Sequence, residues 1–187
     1  MKTNTMRHLA IFGAIFAVSA CGTSHTGSPE GGQVAAGDKK PTSQQQVQDH
    51  VLDMFQRTVN GLGPGSKLDT TRYGRGATDT CDDLDQRPEA PVHFLQFSDM
   101  EVPTTDYTAI LTKIGHMWTS FGWKVIDKGI SSQPHPFATD DDGYTIQALI
   151  TDPGYSPSVL GESPCFDGRL LDRGIQFPRV VQYRDAA

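Results

Sequence analysis

The chain has 187 residues, with 16 Lys or Arg against 22 Asp or Glu, a formal net charge of −6 and 36% hydrophobic residues. That length suits one domain with flanking segments. The acidic balance opposes nucleic acid as a partner, since such binding rests on neutralising phosphates with Lys and Arg, and it opposes an electrostatic grip on anionic lipid.

The N-terminus reads MKTNTMRHLAIFGAIFAVSACGTS. Lys2 and Arg7 make a basic start, Leu9 to Val18 form an apolar run, and no acidic residue occurs before Glu30. This is the pattern of an export signal. The run is too short to cross a bilayer core, which takes about 20 apolar residues. At its end, Val18-Ser19-Ala20-Cys21 followed by Gly22 resembles the lipobox of bacterial lipoproteins. The resemblance implies cleavage before Cys21, a diacylglycerol on its sulfur and an acyl group on the new amino terminus. It implies a chain held at the extracytoplasmic face of the cell membrane. Buried acyl methylenes contribute about 0.8 kcal/mol each, so several chains on one residue hold a protein to a bilayer. The alternative is a secreted chain whose Cys21 enters a disulfide. Removing residues 1–20 takes away Lys2, Arg7 and no carboxylate, so the charge moves from −6 to −8 and attachment falls to the lipid alone.

Residues 21–42 are rich in Gly, Ser, Thr and Pro, with Val34 the one sizeable apolar side chain. Such a segment cannot offset its own ordering entropy. It reads as a flexible tether with an r.m.s. reach of roughly 25 Å.

An α+β domain is expected over residues 43–166. Val47, Val51, Phe55 and Val59 recur every four residues, joined by Leu52 and Leu62, which is a helical period. Ser43 or Thr42 caps this helix, and Gly61 and Gly63 stop it. Residues 63–90 lack periodicity and read as a mostly irregular segment around Cys81. PVHFLQFS, residues 91–98, is a strand rich in aromatic and branched side chains. Ile110, Leu111, Ile114, Met117, Trp118 and Phe121 then share one face of a second helix. Thr105 or Asp106 caps its start, and Gly122 suits the position just past its end. Strands follow at 123–129, 144–152 and 158–166. Residues 167–187 form a tail or an edge strand interrupted by Pro178. This order, α-β-α-β-β-β, predicts an antiparallel sheet of about four strands with two helices packed on one face.

The cysteines are Cys21, Cys81 and Cys165. With Cys21 assigned to lipid, two remain in an oxidising compartment, where paired thiols persist as disulfides. A Cys81–Cys165 bridge would fasten the acidic stretch GATDTCDDLDQ to the last strand.

Motifs that carry chemistry fail one by one. GLGPGSK at 61–67 has the wrong order for a phosphate loop and follows a helix. ATDDDGY at 138–144 would need oxygen ligands where Ala138 and Leu149 stand, so it fails as a calcium loop and reads as a turn tightened at Asp142-Gly143. Asp79, Asp82, Asp83 and Asp85 surround Cys81, but hard cations do not choose thiolates and zinc wants more His or Cys. A weak cation site at these aspartates or at Asp140–Asp142 is the alternative to solvated acidic loops. GESPC at 161–165 lacks the second glycine of a nucleophile elbow. His25, His50, His93, His116 and His135 show no ligand spacing. Trp118 and Trp123 flank a helix end, where core packing is the ordinary role and lining a ligand pocket the functional one. No catalytic set, cofactor motif or metal-ligand set emerges, so the chain reads as no enzyme.

A second resemblance rests on Cys21, Cys81, the FGW of residues 121–123, the DDGY turn and SPC at 163–165. Together they resemble small cell-envelope lipoproteins of mycobacteria and related actinobacteria, of the LppA-like kind. That likeness implies a surface-tethered α+β domain with one disulfide and no known activity; residues 167–187 extend past it. The expected function is a lipid-anchored, non-enzymatic domain binding a small ligand or an envelope protein. Two alternatives are an accessory subunit working through an exposed sheet face and a hydrolase pairing Asp106 or Glu101 with Asp142. Cys21→Ala is expected to move the protein from the membrane to the soluble fraction on cell fractionation; continued sedimentation with membranes would defeat the anchor.

Overall fold

The computed structural model describes residues 40–85, 87–129, 133–151 and 154–185. The signal, Cys21 and the tether up to residue 39 lie outside the described residues. Helix α1 (Gln44–Leu62) begins at Ser43, whose hydroxyl accepts the Gln46 N–H at 3.2 Å. It ends at Gly63, where φ is 102°. Helix α2 (Tyr107–Ser120) begins at Asp106, whose carboxylate accepts the Ala109 N–H at 3.0 Å. Both caps satisfy backbone donors that the helix itself cannot. Among the described residues, no helix is long and apolar enough to cross a membrane.

The fold is α+β with an antiparallel sheet, but the sheet has eight strands rather than about four. They are β1 (Lys67–Asp69), β2 (Ala77–Thr80), β3 (Val92–Glu101), β4 (Lys124–Asp127), β5 (Pro136–Thr139), β6 (Thr145–Leu149), β7 (Ser158–Glu162) and β8 (Val180–Gln182). The order along the sheet is β4-β5-β6-β7-β3-β1-β8, and β2 pairs with β3 off that path. The expected order α-β-α-β-β-β is corrected accordingly: β1 and β2 precede β3, β5 stands between the strands at 124–127 and 145–149, and β8 closes the chain. The four additional strands have three or four residues each. Too short to show a hydrophobic period, they form because a neighbouring strand offers an unpaired backbone edge. Residues 63–90 are mostly irregular, as expected, but they carry β1, a short 3-10 turn at Thr71–Tyr73 and β2.

Strand β3 is ten residues long and buries every second side chain: Val92, Phe94, Gln96, Ser98 and Met100. Its cross-strand partners Val159 and Gly161 on β7 face the same way, as do Ile146 and Ala148 on β6 and Ala138 on β5. On this face α1 contributes Val47, Val51, Met54, Phe55 and Val59, and α2 contributes Leu111, Ile114 and Trp118. The tail joins the core as well. Phe177 packs edge-on against Phe55 at 5.8 Å, and Val181 is buried under the pairing of β8 with β1.

The disulfide between Cys81 and Cys165 is present, with Cα atoms 6.3 Å apart across 84 residues of sequence. Closing a loop of that length stabilises a fold by roughly 4–5 kcal/mol in the chain-entropy model. Cys165 does not lie in the last strand. It follows β7, just before the Val92–Phe166 bridge that extends β3, and it ties down the end of β2.

Gly161 marks the closest approach of α1 to the sheet. A Cβ there would stand 2.7 Å from Val51 Cγ1 and 2.8 Å from Phe55 Cε1. Overpacking of this kind costs about 1–3 kcal/mol. Gly161→Val is therefore expected to lower the unfolding free energy by that amount in chemical denaturation, with no change in secondary-structure content.

Candidate functional site

The tryptophans singled out from the sequence stand in the core. Trp118 is fully buried and donates its indole N–H to Thr58 Oγ1 at 2.9 Å, and that hydroxyl donates to the Met54 carbonyl at 2.8 Å. Trp123 packs edge-on against Phe121, and the Arg57 guanidinium lies 4.8 Å from its ring centroid. The three clefts described below are lined by other residues.

The acidic clusters are occupied by their own backbone. Asp79 accepts the Thr80 N–H, and Asp82 accepts that of Leu84. Asp140 accepts the N–H groups of Asp142 and Tyr144 and pairs with His50 at 2.5 Å. Among the described residues, no three His, Cys, Asp or Glu side chains are grouped to hold a metal ion. Glu101 pairs with Lys67 at 3.0 Å and Asp106 caps α2, so two of the three carboxylates considered for an acid pair have other partners. His93 pairs with Glu162 at 2.7 Å across β3 and β7, and His135 meets Gln147 at 2.9 Å.

Three of the clefts lined by described residues bear on the site. One, about 550 Å³, is lined by Lys40, Arg87, Glu89, Cys165, Phe166 and Arg169 among others. Its arginines are already neutralised. Arg87 donates two hydrogen bonds to Asp85, holding that carboxyl at about 2. Arg169 grips Asp167 in the same way and holds it at about 2. Such fork-on-carboxylate pairs leave little for a second anion. A second cleft, about 210 Å³, lies between Lys128, His135 and Leu149.

The third cleft, about 260 Å³, has a different chemistry. It lies beside the first turn of α1, between Gln44, Gln48, Arg75, Gly76, Ala77, Thr78, Phe94, Arg173 and Ile175. Gln48 is 3% exposed, yet neither its amide nitrogen nor its amide oxygen has a hydrogen-bond partner. A buried polar group in that state costs about 1–3 kcal/mol. Gln44, also buried, accepts the Asp172 N–H at 2.6 Å and so draws the tail against α1. The Arg75 guanidinium donates to the Arg173 carbonyl, which joins the loop before β2 to the same tail. Neither arginine forms an ion pair among the described residues, and α1 carries no acidic residue in its first turn. Gly76 permits the wall: its φ is 83°, and a Cβ there would lie 2.6 Å from the Phe94 ring.

No protein-family model matches this chain, and neither does any curated protein or solved structure. What the cleft can hold follows from its side chains. Arg75 and Arg173, without an ion pair among the described residues, line this cleft beside the buried Gln48, a setting for a small polar molecule. Periodicity hinted at it: Gln44 and Gln48 extend the stripe of Val51 and Phe55, so amides stand at core-facing positions.

A second feature is the sheet face turned away from the helices. Register aligns Ile126, Phe137, Gln147, Leu160 and Phe97 in one row across β4, β5, β6, β7 and β3. Ile126 is 48% exposed and Phe97 41%. Tyr73 packs against Phe97 with ring centroids 5.6 Å apart, and Lys128 lies over Phe137.

On the helix side, the turn between β5 and β6 is pinned to α1 by His50, which stacks on Tyr144 with centroids 3.8 Å apart. Burial, with the charges of Asp140 and Asp142, pushes the Tyr144 phenol up to about 12. The raised value means that the neutral phenol is favoured by folding. Its contribution is full below about pH 10 and is lost as pH rises through 12. Ultraviolet titration of the phenols is expected to show one group ionising near pH 12 that Tyr144→Phe removes.

Proposed function

We propose that the chain is a lipid-anchored lipoprotein of the cell envelope whose extracytoplasmic domain binds a small ligand, without catalysis, in the cleft beside α1. The observation that carries this reading is a cleft lined by Arg75, Arg173 and Gln48, whose buried amide has no partner among the described residues. Natural proteins rarely keep such a group without a reason. The export pattern and the lipobox resemblance at Val18–Cys21 support the anchor, and the tether of residues 21–42 gives the domain its reach. The Cys81–Cys165 bridge suits an oxidising compartment. The likeness to LppA-like envelope lipoproteins is part of the same reading.

A second reading is an accessory subunit that docks an envelope protein on the open sheet face. The row from Ile126 to Tyr73 favours it, since exposed apolar patches mark interaction surfaces.

The mature protein, extracted from its own membranes and held native, is expected to carry a small molecule visible by native mass spectrometry. Thr78→Trp, which fills the cleft from an exposed wall position, should remove it. Wild-type protein that is empty, and that no small-molecule extract of the envelope raises in melting temperature, would exclude the ligand reading.

A further inference from the structure

Both half-cystines of the Cys81–Cys165 bridge are exposed, and the strand that runs into Cys81 buries no side chain. We infer that this bridge is a thiol–disulfide exchange site, opened at Cys165 by a dithiol partner, and that its opening releases β2 with the acidic loop behind it.

Access decides where the exchange begins. Exposed disulfides are the labile ones, and structural ones resist reduction. Cys165 lines the cleft of about 550 Å³, to which Pro41, Pro91 and Phe166 add apolar lining. That volume lies within the range of ligand pockets and admits a cysteine presented on a turn of a partner. Cys81 is followed directly by Asp82 and Asp83, both exposed, whose charges repel an incoming thiolate.

In the first step the partner thiolate forms a bond to Cys165 Sγ and the Cys81–Cys165 bond breaks. Its electron pair goes to Cys81 Sγ, which takes a proton from solvent. The partner's second thiol, on losing its proton, attacks the partner sulfur of the mixed disulfide and expels Cys165, which is protonated in turn. The bridge has then gained two electrons and two protons, and the partner has become a disulfide. A return attack by Cys81 would expel the partner unchanged. The neighbouring carboxylates hold Cys81 as a thiol, which slows that return and leaves the second step to the partner.

What opening does follows from how β2 is held. Ala77–Thr80 pair with Val92–Leu95, and the Cys81 N–H donates to the Pro91 carbonyl at 2.9 Å. Beyond those backbone bonds there is the bridge at one end and the bond from Arg75 to the Arg173 carbonyl at the other. Among the described residues, none from 71 to 89 is buried, so no core side chain leaves with this stretch. Phe166 stays bonded to Val92 on the opposite flank of β3. Release bares the β3 edge at Val92–Leu95 and takes the wall of Gly76 to Thr78 from the cleft beside α1.

Dithiothreitol is the dithiol probe, applied to the mature protein under native conditions and followed by thiol trapping and intact mass. Reduction is expected within about 100-fold of its rate in concentrated guanidinium chloride, whereas passage through global unfolding slows a stable domain by about 1,000-fold or more. Slowing beyond about 100-fold would mean a bridge reached only by unfolding and would overturn the inference. Brief exposure to reduced glutathione, quenched with acid and mapped by peptide mass, is expected to place glutathione on Cys165 and a free thiol on Cys81. The opposite pattern overturns the choice of Cys165. Hydrogen exchange reads the release: after reduction, the amides of residues 77–81 are expected to exchange about 10-fold faster or more, while those of α1, α2 and β6 keep their rates. Unchanged rates in β2, or acceleration throughout the domain, would overturn the release. The Cys81→Ser, Cys165→Ser double variant is expected to show the reduced pattern from the start, with dithiothreitol changing nothing further; a response to dithiothreitol there would remove the bridge as the cause.

Discussion

Strand β3 is the constraint on which the rest depends. Its ten residues leave two backbone edges, and each edge must find partners because buried peptide groups are costly when unpaired. One edge takes β7 over five residues. The other is taken at its two ends, by β2 opposite Val92–Leu95 and by β1 opposite Asp99–Glu101, with Gln96–Ser98 between them. Helix α2 then carries the chain from the centre of the sheet to its far edge, and the β4-β5-β6-β7 meander returns it. Short strands suffice at the margins because β3 has already fixed the plane. The last segment of the chain reaches back to pair with β1, which places Arg173 and Ile175 beside a helix that formed from the first residues of the domain.

The two helices were legible because their signals are local. Ser43 and Asp106 cap them, Gly63 and Gly122 follow their ends, and their apolar stripes are regular. The centre of β3 was legible for the same reason, and the disulfide followed from cysteine parity once Cys21 was set aside. Strands β1 and β2 were not, because their pairing is a property of β3 rather than of KLD or ATDT; the tail was read as a tail or an edge strand, and β8 supplies that strand against β1. β2 is the plainest case: none of its four residues is buried, so no hydrophobic pattern could announce it. The turn at Asp140–Gly143 was read as a turn, but the strand before it, Pro136–Thr139, begins with a residue that sequence reasoning counts against strands.

The cleft lay in the sequence only as an inconsistency. Amides at Gln44 and Gln48 interrupt a stripe that is otherwise apolar, and local rules tend to break at functional sites. What no single stretch could reveal is the meeting of three distant segments, residues 44–48, 75–78 and 173–175. The tryptophans drew attention for a reason that proved structural, since large aromatic rings fill the junction of α1 and α2. Charge alone would have pointed to the larger cleft near Cys165, where three cations gather. There each arginine is held by the aspartate two residues before it, a local pairing that cancels the attraction. An unpaired arginine is worth more to a ligand than a paired one, whatever the size of the opening.

The disulfide and the cleft are parts of one construction. Gly76, Ala77 and Thr78 form a wall of the cleft, and Cys81 follows the strand that Ala77 begins. That strand has no buried side chain, so only its backbone bonds to β3 and the bridge to Cys165 hold it. An edge strand secured by backbone pairing alone frays readily. The covalent tie at its C-terminal end and the Arg75–Arg173 contact at its N-terminal end remove that freedom from both sides. The acidic loop beyond Cys81 is then what remains outside the clamp. Its aspartates cap their own turns while the residues before the cysteine shape the site.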